Sequence, residues 1–201
     1  MIYQRNQLNE VLQTITQEDV IVFPTDTVYG IGASILSPKA LDKIFEIKNR
    51  PTDKSLIVLC ANKVQLEEIV GPLSVDVKKI IDAFLPGGLT LILNCYTPLP
   101  EEITRGKQTI GVRIPNHPLA LELLKEIGPL ATTSANISGE PSPTKIDKLN
   151  PVIQRVNYVF DDGETKEQIP STILDCTKDE FVILREGAIT LEEIQKVLHK
   201  K

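Results

Sequence analysis

The chain has 201 residues, 41% of them apolar and 24% charged, with 22 basic side chains against 27 acidic ones and a net charge of −5. That balance fits one globular domain with a sizeable core, and no apolar run is long enough to span a bilayer. Three widely separated cysteines and two histidines suggest neither a disulfide framework nor a thiolate or imidazole metal site, so any chemistry must rest on other groups.

The opening segment MIYQRNQLNEVLQTI (1–15) reads as polar and helix-like, without the basic, apolar and small-residue pattern of a signal peptide, and a cytoplasmic protein is expected. VIVFP (20–24) is a short β-branched run that predicts a buried strand, feeding the loop TDTVYG. Ser37 then Pro38 reads as a cap followed by proline at the first helical position, and Leu41, Ile44, Phe45 and Lys48 share one face of the helix they open. That helix should stop before Pro51. SLIVL (55–59) predicts a strand, 62–70 and 74–84 helices, and PGGLTLIL (86–93) a turn into another strand. TIGVRIP (109–115) and PLATTS (129–134) resemble strands on either side of the helix PLALELLKEIG (118–128), and the second runs into the polar loop SANISGEPSPT. NYVF, STILDC and FVILR predict three more short strands, and TLEEIQKVLHK (190–200) a terminal amphipathic helix capped by Thr190. The expected fold is α/β: one domain over residues 1–201 with a twisted, open mixed sheet and helices on its faces.

Several strands end in hydroxyls, amides or cations. VIVFP leads to Thr25, Asp26, Thr27 and Tyr29; TIGVRIP carries Arg113; PLATTS runs into Ser134 and Asn136; STILD begins with Ser171 and Thr172; FVILR ends in Arg185. Were these ends to converge, they would line a donor-rich, positive cleft suited to holding a phosphate and a carboxylate together. Each has an ordinary reading as well. Thr-Asp-Thr serves as a turn or cap, Arg113 can face solvent, and Lys48 and Arg50 at a helix C-terminus are the exposed cations a helix dipole favours. Charge is uneven along the chain: 161–180 holds seven acids and two lysines, whereas 39–54 holds five cations and three acids. The phosphate-binding patterns G-x-x-x-x-G-K-[ST] and G-x-G-x-x-G are both absent, GIGAS being a poor approach to them.

Taken in order, PTDTVYGIG, KNRP, LPGGLT, GVRIP, TSANISG, PST and REG resemble the motifs of the YrdC-like family, the threonylcarbamoyl-AMP synthases, over roughly residues 20 to 190. The K-x-R and S-x-N pair of that family is matched by Lys48-Asn49-Arg50 and Ser134-Ala135-Asn136, while Gly88 stands where the family has proline and predicts a looser turn. The resemblance implies the short form of the enzyme, joining L-threonine, bicarbonate and ATP into threonylcarbamoyl-AMP with release of pyrophosphate. It also implies magnesium bound with the ATP, and a partner system that transfers the threonylcarbamoyl group to tRNA beside the anticodon. It places threonine against Thr25, Arg50, Arg113, Thr132 and Ser171, and the nucleotide against Lys48, Ser134, Asn136, Ser142 and Arg185, with Lys48 and Arg50 catalytic. The alternative is a non-catalytic member that binds double-stranded RNA or tRNA, with the steep salt dependence of backbone recognition.

Overall fold

The computed structural model describes residues 1–199; Lys200 and Lys201, which the sequence places in the terminal helix and the domain, lie outside the described residues. Among the described residues the chain forms β1 (Ile2–Gln4), α1 (Leu8–Leu12), β2 (Ile21–Phe23), β3 (Gly30–Ser34), α2 (Pro38–Lys48), β4 (Ile57–Leu59), α3 (Lys63–Val70), α4 (Val75–Phe84) and β5 (Leu89–Asn94). It continues with α5 (Glu101–Thr104), β6 (Thr109–Arg113), α6 (Pro118–Ile127), β7 (Leu130–Ser134), β8 (Tyr158–Asp161), β9 (Thr172–Asp175), β10 (Val182–Arg185) and α7 (Leu191–Leu198). The strands form one open sheet in the order β1-β8-β2-β3-β7-β4-β6-β5-β9-β10. Its pairing is mixed: β1 and β2 flank β8 in parallel, β4 pairs β6 and β5 pairs β9 in parallel, and the remaining ladders are antiparallel. No described helix is long and apolar enough to cross a membrane.

Period-2 alternation divides the strands between two cores. Val20 and Val22 enter the larger core with Leu41, Ile44 and Phe45 of α2, whereas Ile21 and Phe23 enter a smaller one with Leu119, Leu123 and Leu124 of α6. The two caps read from sequence, Ser37 and Thr190, are in place, and Asn62 and Ser74 act in the same way: all four side chains accept from backbone N–H groups in the first turns of α2, α7, α3 and α4.

Two local expectations change. The first residues form β1, parallel to β8, before any helix begins. GIGAS, to which the sequence assigned no element beyond the loop TDTVYG that ends at Gly30, is β3, and its glycines leave room for a neighbour: a Cβ on Gly30 would come within 2.9 Å of Thr132 Cγ2, and one on Gly32 within 2.8 Å of Thr132 Oγ1. The Pro86–Gly88 turn is fastened at both glycines. Gly87 N–H donates to the Ile114 carbonyl at 2.9 Å, and the Gly88 carbonyl accepts from Thr172 N–H at 2.9 Å. A Cβ on Gly88 would lie 2.9 Å from that of Ala188, so glycine there admits the segment that follows β10.

Candidate active site

A cavity of about 270 Å³ opens over the middle of the sheet. Strand alternation accounts for much of its lining, Thr133 of β7 being an exception. In β5, Leu89, Leu91 and Leu93 enter the larger core and Thr90 between them lines the cavity. In β6, Ile110 and Val112 are core while Arg113 lines the cavity, and in β7 Ala131 is core while Thr132 and Ser134 line it. Gly111 keeps the floor open for Ile57, whose Cγ2 would lie 2.8 Å from an added Cβ. Thr25, Arg50, Ser142, Ser171 and Arg185 complete the predicted members that reach this space.

Arg113 does not face solvent. It is 4% exposed, and its guanidinium donates from Nε to the Gly87 carbonyl at 2.9 Å, from Nη1 to Thr27 Oγ1 at 2.8 Å and from Nη2 to Asp26 Oδ1 at 2.6 Å. Burial pulls its pKa down and the Asp26 carboxylate opposes that shift. Three of the five guanidinium N–H groups are thus taken within the described residues, which leaves two.

The other two arginines have no carboxylate at ion-pair distance among the described residues. Arg50 is held by carbonyls, Nη2 donating to Ser55 at 2.7 Å and Nε to Lys54 at 3.3 Å, with its guanidinium carbon 6.0 Å from the centre of the Phe45 ring. Burial lowers its pKa. Arg185 reaches back to the start of β9, donating from Nε and Nη2 to the Ser171 carbonyl at 3.1 and 2.7 Å. Ser171 Oγ in turn lies 2.8 Å from Thr90 Oγ1. Thr25 Oγ1 donates to the Val28 carbonyl at 2.7 Å and sits 3.0 Å from Thr27 Oγ1, so the hydroxyls of the β2–β3 loop form a closed turn beside Arg113.

Lys48 corrects the picture of exposed helix-end cations. Asn49 caps α2 in the left-handed conformation (φ 50°), which asparagine tolerates, and this reversal sends the residues on either side of it apart. Arg50 turns to the cavity, whereas Lys48 is 1% exposed and does not line it. Its ammonium donates to the carbonyls of Ser134 and Asn136, and Ser138 N–H donates to the Lys48 carbonyl at 2.9 Å. Burial, aided by Arg50, pulls its pKa down to about 7. Asn136 likewise lies behind the cavity wall, its Nδ2 donating to the Ile137 and Glu140 carbonyls at 2.9 and 2.8 Å while the buried Oδ1 has no partner among the described residues. Lys54 is exposed.

The profile of the Sua5/YciO/YrdC family, described as telomere recombination, matches residues 13–187. This chain belongs to that family. Threonylcarbamoyl-AMP synthase of Bacillus subtilis is 42% identical over 195 residues, covering 96% of this chain and 56% of that protein. The enzyme of the same name from Pyrococcus abyssi is 40% identical over 186 residues, covering 92% and 55%. The chain therefore spans little more than half the length of these two relatives. The crystal structure of P. abyssi Sua5 complexed with L-threonine superposes with a TM-score of 0.91 at 36% identity, covering 99% of this chain and 61% of that one. Escherichia coli YciO superposes with a TM-score of 0.82 at 25% identity, covering 96% and 98%.

Within this Sua5/YciO/YrdC domain the structure brings Thr25, Arg50, Arg113, Thr132, Ser134, Ser142, Ser171 and Arg185 to one cavity, and leaves Lys48 and Asn136 one layer behind it. Sequence reading missed Ser55, Ile57 and Thr90 as lining residues. A signal for Thr90 exists in LTLIL, where a lone hydroxyl between leucines on a buried strand must face something polar. Ile57 carries none, since an isoleucine in SLIVL reads as core.

Proposed function

We propose that the chain synthesises threonylcarbamoyl-AMP from L-threonine, bicarbonate and magnesium-ATP, releasing pyrophosphate. The observation that carries this reading is the convergence of three guanidiniums, Arg50, Arg113 and Arg185, with hydroxyls on a single cavity, of which only Arg113 is neutralised by a described carboxylate. The names of the Bacillus subtilis and P. abyssi relatives, and the threonine bound to P. abyssi Sua5, support it.

The reaction asks for no protein nucleophile. Bicarbonate yields carbon dioxide and water after taking up a proton; the threonine amine attacks the carbon, forming an N–C bond and returning the proton. A carbamate oxygen then bonds to the α-phosphorus of ATP as the bond to pyrophosphate breaks. Carboxylate, carbamate and triphosphate must approach one another, so the protein's task is to orient them and offset accumulating negative charge. Arg50 and Arg185 supply unneutralised charge, and their planar forks suit phosphate or carboxylate oxygens. Threonine is assigned to Thr25, Arg50, Arg113, Thr132 and Ser171, and the nucleotide to Ser134, Ser142 and Arg185. Lys48 and Asn136 act from behind, by fixing the end of β7, which carries Ser134, and the loop that follows it. Among the described residues no group of three or more His, Cys, Asp or Glu could hold a metal, and magnesium enters here as part of the nucleotide substrate, held by the phosphates. The mixed anhydride would pass to a tRNA-modifying transfer system.

The test is pyrophosphate release by the purified chain. It should need L-threonine and bicarbonate together; equal release without bicarbonate would leave simple amino-acid activation and sink this reading.

A further inference from the structure

The function proposed above gives Asp26 no task, yet it is among the most firmly placed side chains near the cavity. Its carboxylate is 5% exposed, and Oδ1 accepts both from Arg113 Nη2 at 2.6 Å and from the Asn116 backbone N–H at 3.0 Å. The loop that bears it is held from distant segments: the Asp26 carbonyl accepts from Glu167 N–H, and the Thr27 carbonyl from Thr165 Oγ1, each at 2.8 Å. A buried arginine needs a counter-charge, and that alone would account for an acid here. The geometry goes further. A carboxylate that only neutralises arginine is free to take two N–H groups in a fork, and such pairing is the frequent one. Asp26 takes one.

With Gly87 on Nε and Thr27 on Nη1, the guanidinium is fixed along three edges, and each terminal nitrogen retains one N–H without an acceptor among the described residues. We propose that Asp26 is a positioning residue: it fixes Arg113 so that one N–H on each terminal nitrogen remains as a two-pronged donor for the carboxylate of the amino-acid substrate. This rests on the function proposed above, which assigns threonine to Arg113 among other residues; the placement of its carboxylate there is part of the present inference. It also divides the substrates. Because Asp26 cancels the charge of Arg113, recognition there depends on the direction of hydrogen bonds more than on net charge, which suits one carboxylate. The triphosphate is left to Arg185, which has no acid partner at ion-pair distance among the described residues.

The experiment compares binding of L-threonine with that of L-threoninamide, which lacks the carboxylate, by calorimetry on the whole chain. The wild-type protein should prefer threonine by about tenfold or more, the scale of a charged, paired hydrogen bond. Asp26→Ala should lower that preference at least about fivefold while the Kd for a non-hydrolysable ATP analogue stays within about twofold. Thr27→Val, which removes the Nη1 acceptor at nearly constant volume, should lower it too and carries the test should Asp26→Ala not fold. Asp26→Asn keeps an acceptor oxygen in place and should retain most of the preference. An unchanged preference in folded Asp26→Ala or Thr27→Val overturns the positioning role and leaves the proposed function standing. So does a parallel loss of threonine, threoninamide and nucleotide, which is what a purely structural role gives. A wild-type protein that does not distinguish the two ligands overturns the placement of the carboxylate at Arg113, and the positioning role with it.

Discussion

Lys48 offers a test that separates a buried clamp from an exposed helix-end cation. Its ammonium is almost fully buried and its pKa lies near 7, against 10.5 for the free side chain, with burial the principal cause. Between those two values the unfolded chain binds a proton that the folded chain does not, so stability rises with pH across the window and is flat below it. The two carbonyls of Ser134 and Asn136 remain satisfied after deprotonation, because a neutral amine still has two N–H groups to give. The Lys48→Met variant keeps the stem's volume and has nothing to titrate. The difference in unfolding free energy between wild type and this variant should therefore grow as pH rises above about 7, approaching about 1.4 kcal/mol per pH unit, for a total of roughly 2–3 kcal/mol between pH 7.5 and 9.5. Urea unfolding of both proteins at matched pH values measures it, and the subtraction removes every other titrating group that the two share. A difference constant from pH 7 to 9.5 would refute the reasoning, and would return Lys48 to the solvated end of a helix.

Arg50→Ala should reduce threonine- and bicarbonate-dependent synthesis by about a hundredfold or more, as for loss of one preorganised donor, while Tm falls by no more than about 4 °C, since among the described residues Arg50 makes two backbone hydrogen bonds at a half-buried site; equal activity would remove it from the reacting centre. Gly111→Val should destabilise by about 1–3 kcal/mol and raise the KM for threonine, because the added side chain meets Ile57 on the cavity floor. Denaturant unfolding and steady-state kinetics on the same preparation decide that case. Valine should be a poorer substrate than threonine by at least about tenfold in kcat/KM, since it leaves polar groups such as Thr25, Thr132 or Ser171 unpaired; parity would show that none of them meets the substrate hydroxyl.

The sequence made α2 legible because several independent signals agree there: a capping serine, proline at the first turn, a 3.6-residue apolar face and a stop before Pro51. The buried strands were legible for their β-branched runs, Arg113, Arg185 and most of the hydroxyls for their places at strand ends, and Arg50 for its place just past the end of α2. What escaped depends on contacts distant in the chain. Glycine is unfavourable in a strand, and GIGAS becomes one because Thr132, about a hundred residues later, fills the space beside Gly30 and Gly32. Ile2–Gln4 reads as the start of a polar helix and becomes a strand only by pairing with Tyr158–Asp161. Lys48 falls on the apolar face of its helix, which foreshadows burial. Its acceptors, though, are carbonyls of a loop more than eighty residues away, and no local pattern reports them. Asp26 was visible as part of a Thr-Asp-Thr turn, but its hold on Arg113 exists only once β6 lies beside that turn.

The central claim, that the cavity joins threonine, bicarbonate and ATP, is tested most directly by following the carbon. The purified chain is incubated with L-threonine, magnesium-ATP and ¹³C-bicarbonate, and the nucleotide products are separated rapidly and weighed by mass spectrometry. The account predicts an adenylate whose mass is that of threonylcarbamoyl-AMP carrying one ¹³C, appearing together with pyrophosphate. Pyrophosphate formed with threonyl-AMP, or with AMP alone and no labelled carbon in any adenylate at any time, would contradict it.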